Sequence, residues 1–388
     1  MHPIRRLITD SKDDVLVLRD CRLLERLNGG DVMNVAVIAE PPIDAAWCPL
    51  KEGPVNSSFV ATCSVGPVML FDVEGDVRGS YVARNANDKV VHAQSVCWRK
   101  GDPTTIVGGY GVQEAPVLCG FDIQRSEVNW VFASSKVPPP LGAGSCKPGL
   151  VTTVTEFSQS NSMLCYGTTL GDMFGFDIRS LCVPLVFGRG TSLGRAHQKG
   201  VSSTLSIEES HQVLSVPRSG ESNVFLWDTR NTAVPLDCVD RGTYDRHQYG
   251  GPAVSANGSI IIPGSTGLKL LKIAGGRISS VDVSSEVLGG AVCVSGGGSQ
   301  VAKDATVGPI ASIQGGKRLL LTTGVSSRPI PLGARNVRPL SVDAESDNET
   351  DVPITKAASA NTVEFSDSDD EEVASGSGAI WSLDISSL

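Results

Sequence analysis

The sequence predicts an all-β protein folded as a seven-bladed β-propeller. Three observations carry that expectation. The chain holds 42 Gly and 22 Pro in 388 residues, the punctuation of many turns and few long helices. Helical periodicity is missing almost everywhere, and short apolar runs bounded by Gly, Asn, Asp and Ser take its place. Groups of four such runs recur about every 45 residues, the repeat length of a propeller blade.

Taken in order, Leu7 to Asp10 and Val15 to Arg19 read as two strands around the polar turn SKDD. They predict the tail of a first blade whose inner strands are missing or supplied elsewhere, and Asn34 to Ile38 adds another short strand. Blade two is expected from Ile43–Cys48, Ser58–Cys63, Val68–Asp72 and Val77–Ala83, followed by a polar loop over 84–92. Blade three follows from Ala93–Trp98, Thr104–Gly108, Val117–Ile123 and Val128–Phe132. Blade four follows from Val151–Phe157, Met163–Gly167, Met173–Ile178 and Leu185–Gly188. Blade five takes Val201–Ile207, Gln212–Val216, Asn223–Asp228 and Leu236–Asp240. Blade six takes Tyr249–Ala256, Ser259–Gly264, Leu268–Ile273 and Ile278–Val283. A seventh begins irregularly with Ala291–Ser295, Ala311–Ile313 and Leu319–Thr323.

A propeller must close its ring to remove its sheet edges. The segment GAIWSLDI near the C-terminus reads as a blade strand, so residues 377–388 are expected to complete the last blade. Residues 1–339 then hold the blades, and 340–376 form an acidic insertion with little apolar content, expected to be disordered. Ser346, Ser366 and Ser368 each have an acid three residues later and are candidate phosphorylation sites, with a plain solvated acidic loop as the alternative.

The net charge of −9 is local. Residues 343–372 carry eleven acids and one Lys, which leaves 32 basic and 31 acidic residues elsewhere, a body at +1. Nucleic-acid binding therefore needs clustered Arg and Lys rather than bulk charge. The ten Cys show no CxxC pair and no His close to two of them, which argues against a disulfide framework or a structural zinc. Most sit in apolar runs, as small core residues. No run approaches the roughly 20 apolar residues of a membrane span, so a soluble protein of a reducing compartment is expected. Gly190–Gly194 (GTSLG) matches the GxSxG elbow, but no helix is predicted after it, so no catalytic role is assigned. No enzyme activity and no cofactor are expected.

The stretch Asp72–Trp98, DVEGDVRGSYVARNANDKVVHAQSVCW, carries more than periodicity. With Phe71 before it, it resembles the telomerase Cajal body protein family of WD-repeat proteins. That family has a blade end WDAxxGxxRASY, a YNHxDE-like loop and then AHSLCF. The matching residues are Phe71, Asp72, Gly75, Arg78, Ser80, Tyr81, Asn85, Asp88, His92, Ser95 and Cys97. Phe71 replaces the blade Trp and Ala86 the loop His. Further matches are His197 in AHQKG, Trp227, Asp228 and Arg230 in FLWDTR, Arg218 at the family's GARK, and Gly264 and Gly267 at its GSTSG turn. His197, Trp227, Asp228, Gly264 and Gly267 read as structural blade residues. His197 is expected to bond a strand-b hydroxyl and the Asp of a neighbouring turn.

The resemblance implies a non-enzymatic RNA-binding protein acting on telomerase RNA or box H/ACA small Cajal-body RNA, as a monomer among telomerase and H/ACA ribonucleoprotein proteins. It implies a nuclear, Cajal-body-like location, with a cytoplasmic pool allowed. Loops from blade end to blade start share a face with the strand b to c turns, and that face collects basic residues. Arg84, Arg195, Lys199, Arg218 and Arg246 are the expected RNA contacts. The alternative is a protein-interaction scaffold that touches no RNA. A basic rim with exposed aromatics favours RNA, and a neutral rim with an apolar patch favours a protein partner.

Overall fold

The computed structural model describes residues 4–9, 14–19, 22–28, 31–38, 40–50, 57–111, 116–125, 127–138, 149–218, 220–242, 252–254, 258–264, 267–283, 291–295, 307–313, 316–323 and 379–385. They belong to one compact unit, Met1–Ser327 with Gly376–Leu388. The expected insertion at 340–376, with Ser346, Ser366 and Ser368, lies outside the described residues, as does Arg246.

The fold is a seven-bladed β-propeller of four-stranded antiparallel sheets. Blade one is β1 (Ile4–Thr9), β2 (Val15–Arg19), β3 (Leu23–Asn28) and β4 (Asp31–Val37). Blade two is β5 (Pro42–Trp47), β6 (Ser58–Cys63), β7 (Val68–Asp72) and β8 (Val77–Tyr81). A small hairpin follows, β9 (Ala83–Arg84) with β10 (Val90–Val91). Blade three is β11 (Ser95–Trp98), β12 (Thr105–Gly109), β13 (Pro116–Asp122) and β14 (Val128–Ala133). Blade four is β15 (Val151–Glu156), β16 (Met163–Thr168), β17 (Met173–Asp177) and β18 (Cys182–Val186). Blade five is β19 (Val201–Ser206), β20 (Gln212–Pro217), β21 (Asn223–Asp228) and β22 (Asp237–Asp240). Blade six is β23 (Ala253–Val254), β24 (Ile260–Gly264), β25 (Gly267–Ala274) and β26 (Arg277–Asp282). Blade seven holds β27 (Val292–Ser295), β28 (Val307–Ile313), β29 (Arg318–Thr323) and β30 (Ala379–Asp384).

The middle strands are near-continuous apolar runs because both of their faces are buried between blades. Side chains alternate across a strand, so one strand feeds two interfaces. In β16, Leu164 and Tyr166 pack toward blade three while Cys165 packs toward blade five. β20 sends Val213 to blade four and Leu214 and Val216 to blade six. Each fully buried Leu, Val or Phe contributes about 1.5–3 kcal/mol. The outer strands are wetter, as the alternating exposure of β14 and the nearly continuous exposure of β26 show. Burial pushes the thiols of Cys97 and Cys119 up to about 12, so these cysteines serve the core as inert thiols.

Two expectations from the sequence need correction. Blade one is complete in itself. Its third strand, LLERLN, lacked an apolar signal because its charges are paired, Arg19 Nε donating to Glu25 at 2.7 Å and Arg26 Nη2 to Asp14 at 2.6 Å. The 84–92 loop contains a two-residue ladder, Arg84 opposite Val90 and Ala83 opposite Val91. Of the long inner strand expected at 249–256, the described part is Ala253–Val254.

Blade seven is assembled out of chain order, β27-β30-β29-β28. β30 pairs with β29 along its whole length and with β27 on its other edge. Ile380, Trp381, Leu383 and Ile385 are buried. Ile380 joins Ile4, Leu7, Val17, Ala311 and Leu320 across the blade seven to blade one seam. Trp381 and Leu383 face blade six with Ile261 and Leu270.

Removing 376–388 should therefore leave two sheet edges open, lower the melting temperature sharply and cause aggregation. A synthetic 376–388 peptide should restore the melt when added back. An unchanged melting temperature after truncation would contradict ring closure by β30. Leu383→Ala in the full chain should cost about 2–5 kcal/mol in denaturant unfolding.

Candidate interaction face

Strand order fixes which loops share a face. In an antiparallel blade whose first strand is innermost, turns between its second and third strands lie on the same side as the loops leading into the next blade. Turns between first and second, and third and fourth, lie on the other side. The first face therefore carries 84–92, 187–200 and 216–222, together with the Thr169–Gly171 turn of blade four.

Blade five is locked beneath this face by four side chains. Trp227 Nε1 donates to Ser215 Oγ at 2.8 Å, and Ser215 Oγ lies 2.7 Å from His197 Nε2. His197 Nδ1 lies 2.9 Å from Glu221 Oε1, and Glu221 Oε2 accepts the backbone N–H of Gln198 and Lys199 at 2.8 and 3.1 Å. Burial depresses the His197 pKa against the opposing pull of Glu221, so the ring is neutral. Proton order then follows: Trp227 donates to Ser215, Ser215 to Nε2, and Nδ1–H to the carboxylate. Burial works against an ionised Glu221, but the hydrogen bonds from His197, Lys199 and Gln198 outweigh it and hold its pKa below the usual range. The turn acid is thus Glu221, where an Asp was expected. Asp228 ends β21 by accepting the Arg230 backbone N–H at 2.9 Å and its guanidinium.

Gly267 has φ +147 and pairs with Gly264 across the β24–β25 turn, whereas Gly264 is not in the left-handed region. Conformational freedom is therefore needed at Gly267 only.

The four described basic positions expected to meet RNA differ in state. Arg84 is exposed and donates to the Asp88 carbonyl at 2.8 Å, with the Asp88 carboxylate 3.5 Å away. Arg195 donates to the Leu170 carbonyl at 2.7 Å and lies 3.9 Å from Asp172, so it braces the blade four turn rather than standing free. Lys199 is exposed and Arg218 half-buried. Neither has a side-chain ion pair among the described residues. Their positions interlock: a Cβ on Gly200 would meet Arg218 Cδ at 2.8 Å, and one on Gly220 would lie 3.9 Å from Lys199 Cγ. Gly200 also has φ +106. Leu170 and Leu193, which sequence reasoning passed over, are 40% and 44% exposed.

Elsewhere the structure offers less. The inner strands surround a channel of about 250 Å³ with Arg6, Asp44, Thr155 and Ser203 on its wall. There Arg6 is paired with Asp44, whose other oxygen accepts the Val96 N–H at 3.0 Å. The opposite face has a cleft of about 660 Å³ between blades three and four, lined by Arg99, Asp102, Asn161 and Arg179. Its Arg99 is consumed by Glu156, Asp102 and the Asn161 carbonyl. Among the described residues no group of three or more His, Cys, Asp or Glu is placed to hold a metal. In Gly190–Gly194 no helix follows, and the Thr191 hydroxyl is spent on the carbonyls of Gly188 and Arg195.

Ser215→Ala should strand the Trp227 donor and the His197 acceptor and cost about 1–3 kcal/mol, read by denaturant unfolding. Because His197 is neutral when folded, the unfolded chain takes up a proton that the folded chain refuses. Stability should fall as pH drops below about 6.5, and the slope should be smaller in His197→Gln.

No family model matches the chain, and no curated protein matches it. Among solved structures, one titled "Crystal Structure of Mitotic Checkpoint Complex" superposes with a TM-score of 0.57 at 14% identity, covering 83% of this chain and 84% of that one. At that identity the likeness speaks for the fold. The fold it speaks for is that of a seven-bladed β-propeller.

Proposed function

We propose that the protein is a non-enzymatic scaffold that recruits a protein partner on the face of blades four and five. One observation carries this reading. Among the described residues no Phe, Tyr or Trp is exposed, so the described part of the face offers no ring for base stacking. It offers instead the apolar side chains of Leu170 and Leu193 beside Lys199 and Arg218. Single-stranded RNA is read largely by stacking on aromatic or Arg planes, whereas an apolar patch rimmed by charge suits a protein. Arg84 and Arg195 are already engaged within the chain. The similar solved structure is, by its title, a complex, which accords with use as a platform.

The second reading keeps the RNA function that the resemblance over Asp72–Trp98 implies, with telomerase or box H/ACA small Cajal-body RNA as ligand and nuclear residence. Lys199 and Arg218 favour it, as cations free to meet phosphate.

Crosslinking in cells separates the two. The scaffold reading expects protein crosslinks on 84–92, 189–200 and 216–222, and no enrichment of H/ACA-type RNA over an unrelated propeller. It also expects a purified H/ACA-type hairpin to bind no tighter than the 10⁻⁴–10⁻⁶ M that is roughly typical of non-specific contact. Sub-micromolar, salt-sensitive RNA binding lost on reversing Arg195 and Arg218 to Glu would replace the scaffold reading with the RNA one.

A further inference from the structure

Arg218 presents a physical problem that points to its ligand. Its Cδ lies against Gly200, beside the Thr169 carbonyl, and the residue is half-buried. A half-buried cation without a counter-charge is costly. Four other covered arginines have one: Arg6 has Asp44, Arg19 has Glu25, Arg26 has Asp14, and Arg99 has Glu156. Among the described residues around Arg218 the acids are spent, Glu221 on His197 and two backbone N–H groups, and Asp172 beside Arg195. Lys199 leans over Gly220 from the facing loop and adds a second charge with no ion-pair partner among the described residues. Next to them Arg195 pins the Leu170 carbonyl at 2.7 Å and so fixes a turn whose leucine side chain faces solvent.

We infer that the partner is captured through an acidic peptide segment with an apolar residue beside its carboxylates. The carboxylates pair with Arg218 and Lys199, and the apolar residue covers Leu170. This deepens the scaffold reading and rests on it. A nucleic acid would satisfy the cations but would leave Leu170 wet, and the described residues of this face show no exposed ring to stack its bases.

The test uses the full chain and a fluorescein-labelled 14-residue peptide alternating Glu and Leu, read by anisotropy. Its controls are the same peptide with Gln for Glu, the same with Ser for Leu, and a single-stranded 14-nucleotide RNA. The Glu/Leu peptide should bind best and should lose on the order of tenfold in affinity in Lys199→Glu/Arg218→Glu, which is about 1.4 kcal/mol. Leu170→Ser should lose about threefold through the apolar contact. Arg179→Glu, on the opposite face, should change nothing, and melting temperatures should confirm that each variant folds. The inference is overturned if the double reversal leaves peptide affinity unchanged, if the Gln peptide binds equally well, or if the RNA outcompetes the peptide. Protein crosslinks mapping to another face would sink this inference while leaving the scaffold reading intact; RNA capture would sink both.

Discussion

Ring closure is the constraint on which the rest of this structure depends. Every blade buries its two faces against neighbours, so no blade has an independent core, and the stack is stable only if the seventh interface forms. Here that interface depends on the chain's most distant pairing. β28 stands beside β1, but β30, from the extreme end of the sequence, separates β29 from β27. Ile380 and Leu320 then meet Ile4 and Val17. The closing strand is internal to its sheet and bonded on both edges, so it cannot fray as an outer strand can. Loop closure over a long connection costs only slowly more with length, which is why a distant strand can occupy so central a position.

A closed ring makes its loops rigid enough to carry a surface. The clearest case is blade five, where a chain of hydrogen bonds runs from Trp227 in the core through Ser215 and His197 to Glu221 in a surface turn. Glu221 holds the N–H groups of Gln198 and Lys199, so the loop carrying Lys199 and the turn carrying Arg218 keep one geometry. Two glycines, Gly200 and Gly220, then let each cation lie across the other's turn. The core thereby sets the spacing of charges that face solvent. Arg195 does the same for blade four by giving up its own freedom to hold Leu170 in place.

Much of the fold is legible in the sequence because blade strands carry a strong signal, apolar on both faces and bounded by turn residues. β6, β7, β16, β20 and β21 lie within a residue or two of their expected positions for that reason. What escaped notice were elements whose stability comes from pairing between distant groups. β3 is held by Arg19–Glu25 and Arg26–Asp14 pairs and reads locally as a charged turn. The strand order of blade seven reflects which partners are left when the ring shuts, which no local pattern records. The site was less legible still. Basic loop residues could be placed on one face from topology, but whether each was free or engaged depended on carbonyls and carboxylates one blade away. Leu170 and Glu221 drew no attention because neither belongs to a periodic run.

The same distinction bears on the resemblance over Phe71–Trp98. Most of its matched residues have folding duties in this structure. Phe71 is buried and stacked on Phe59 at 5.4 Å. Asp72 accepts the Asp76 N–H at 2.8 Å and the Arg78 guanidinium, which together tie β7 to β8. Gly75, at φ +93, lies so close to the Val35 carbonyl that a Cβ would collide with it. The Tyr81 hydroxyl donates to the Ile123 carbonyl at 3.0 Å, across the seam to blade three. Asn85 Oδ1 takes the N–H groups of Asn87 and Lys89, and Asp88 sits at φ +60. Ser95 donates to the Val151 carbonyl of blade four. Each of these residues answers a demand of folding a blade, shaping the loop after it or joining it to the next. A motif whose residues are used up in holding blades together identifies a way of building the ring. What the ring then binds is decided by side chains that the fold leaves unsatisfied, and in the described residues the combination of Arg218, Lys199 and Leu170 meets that condition.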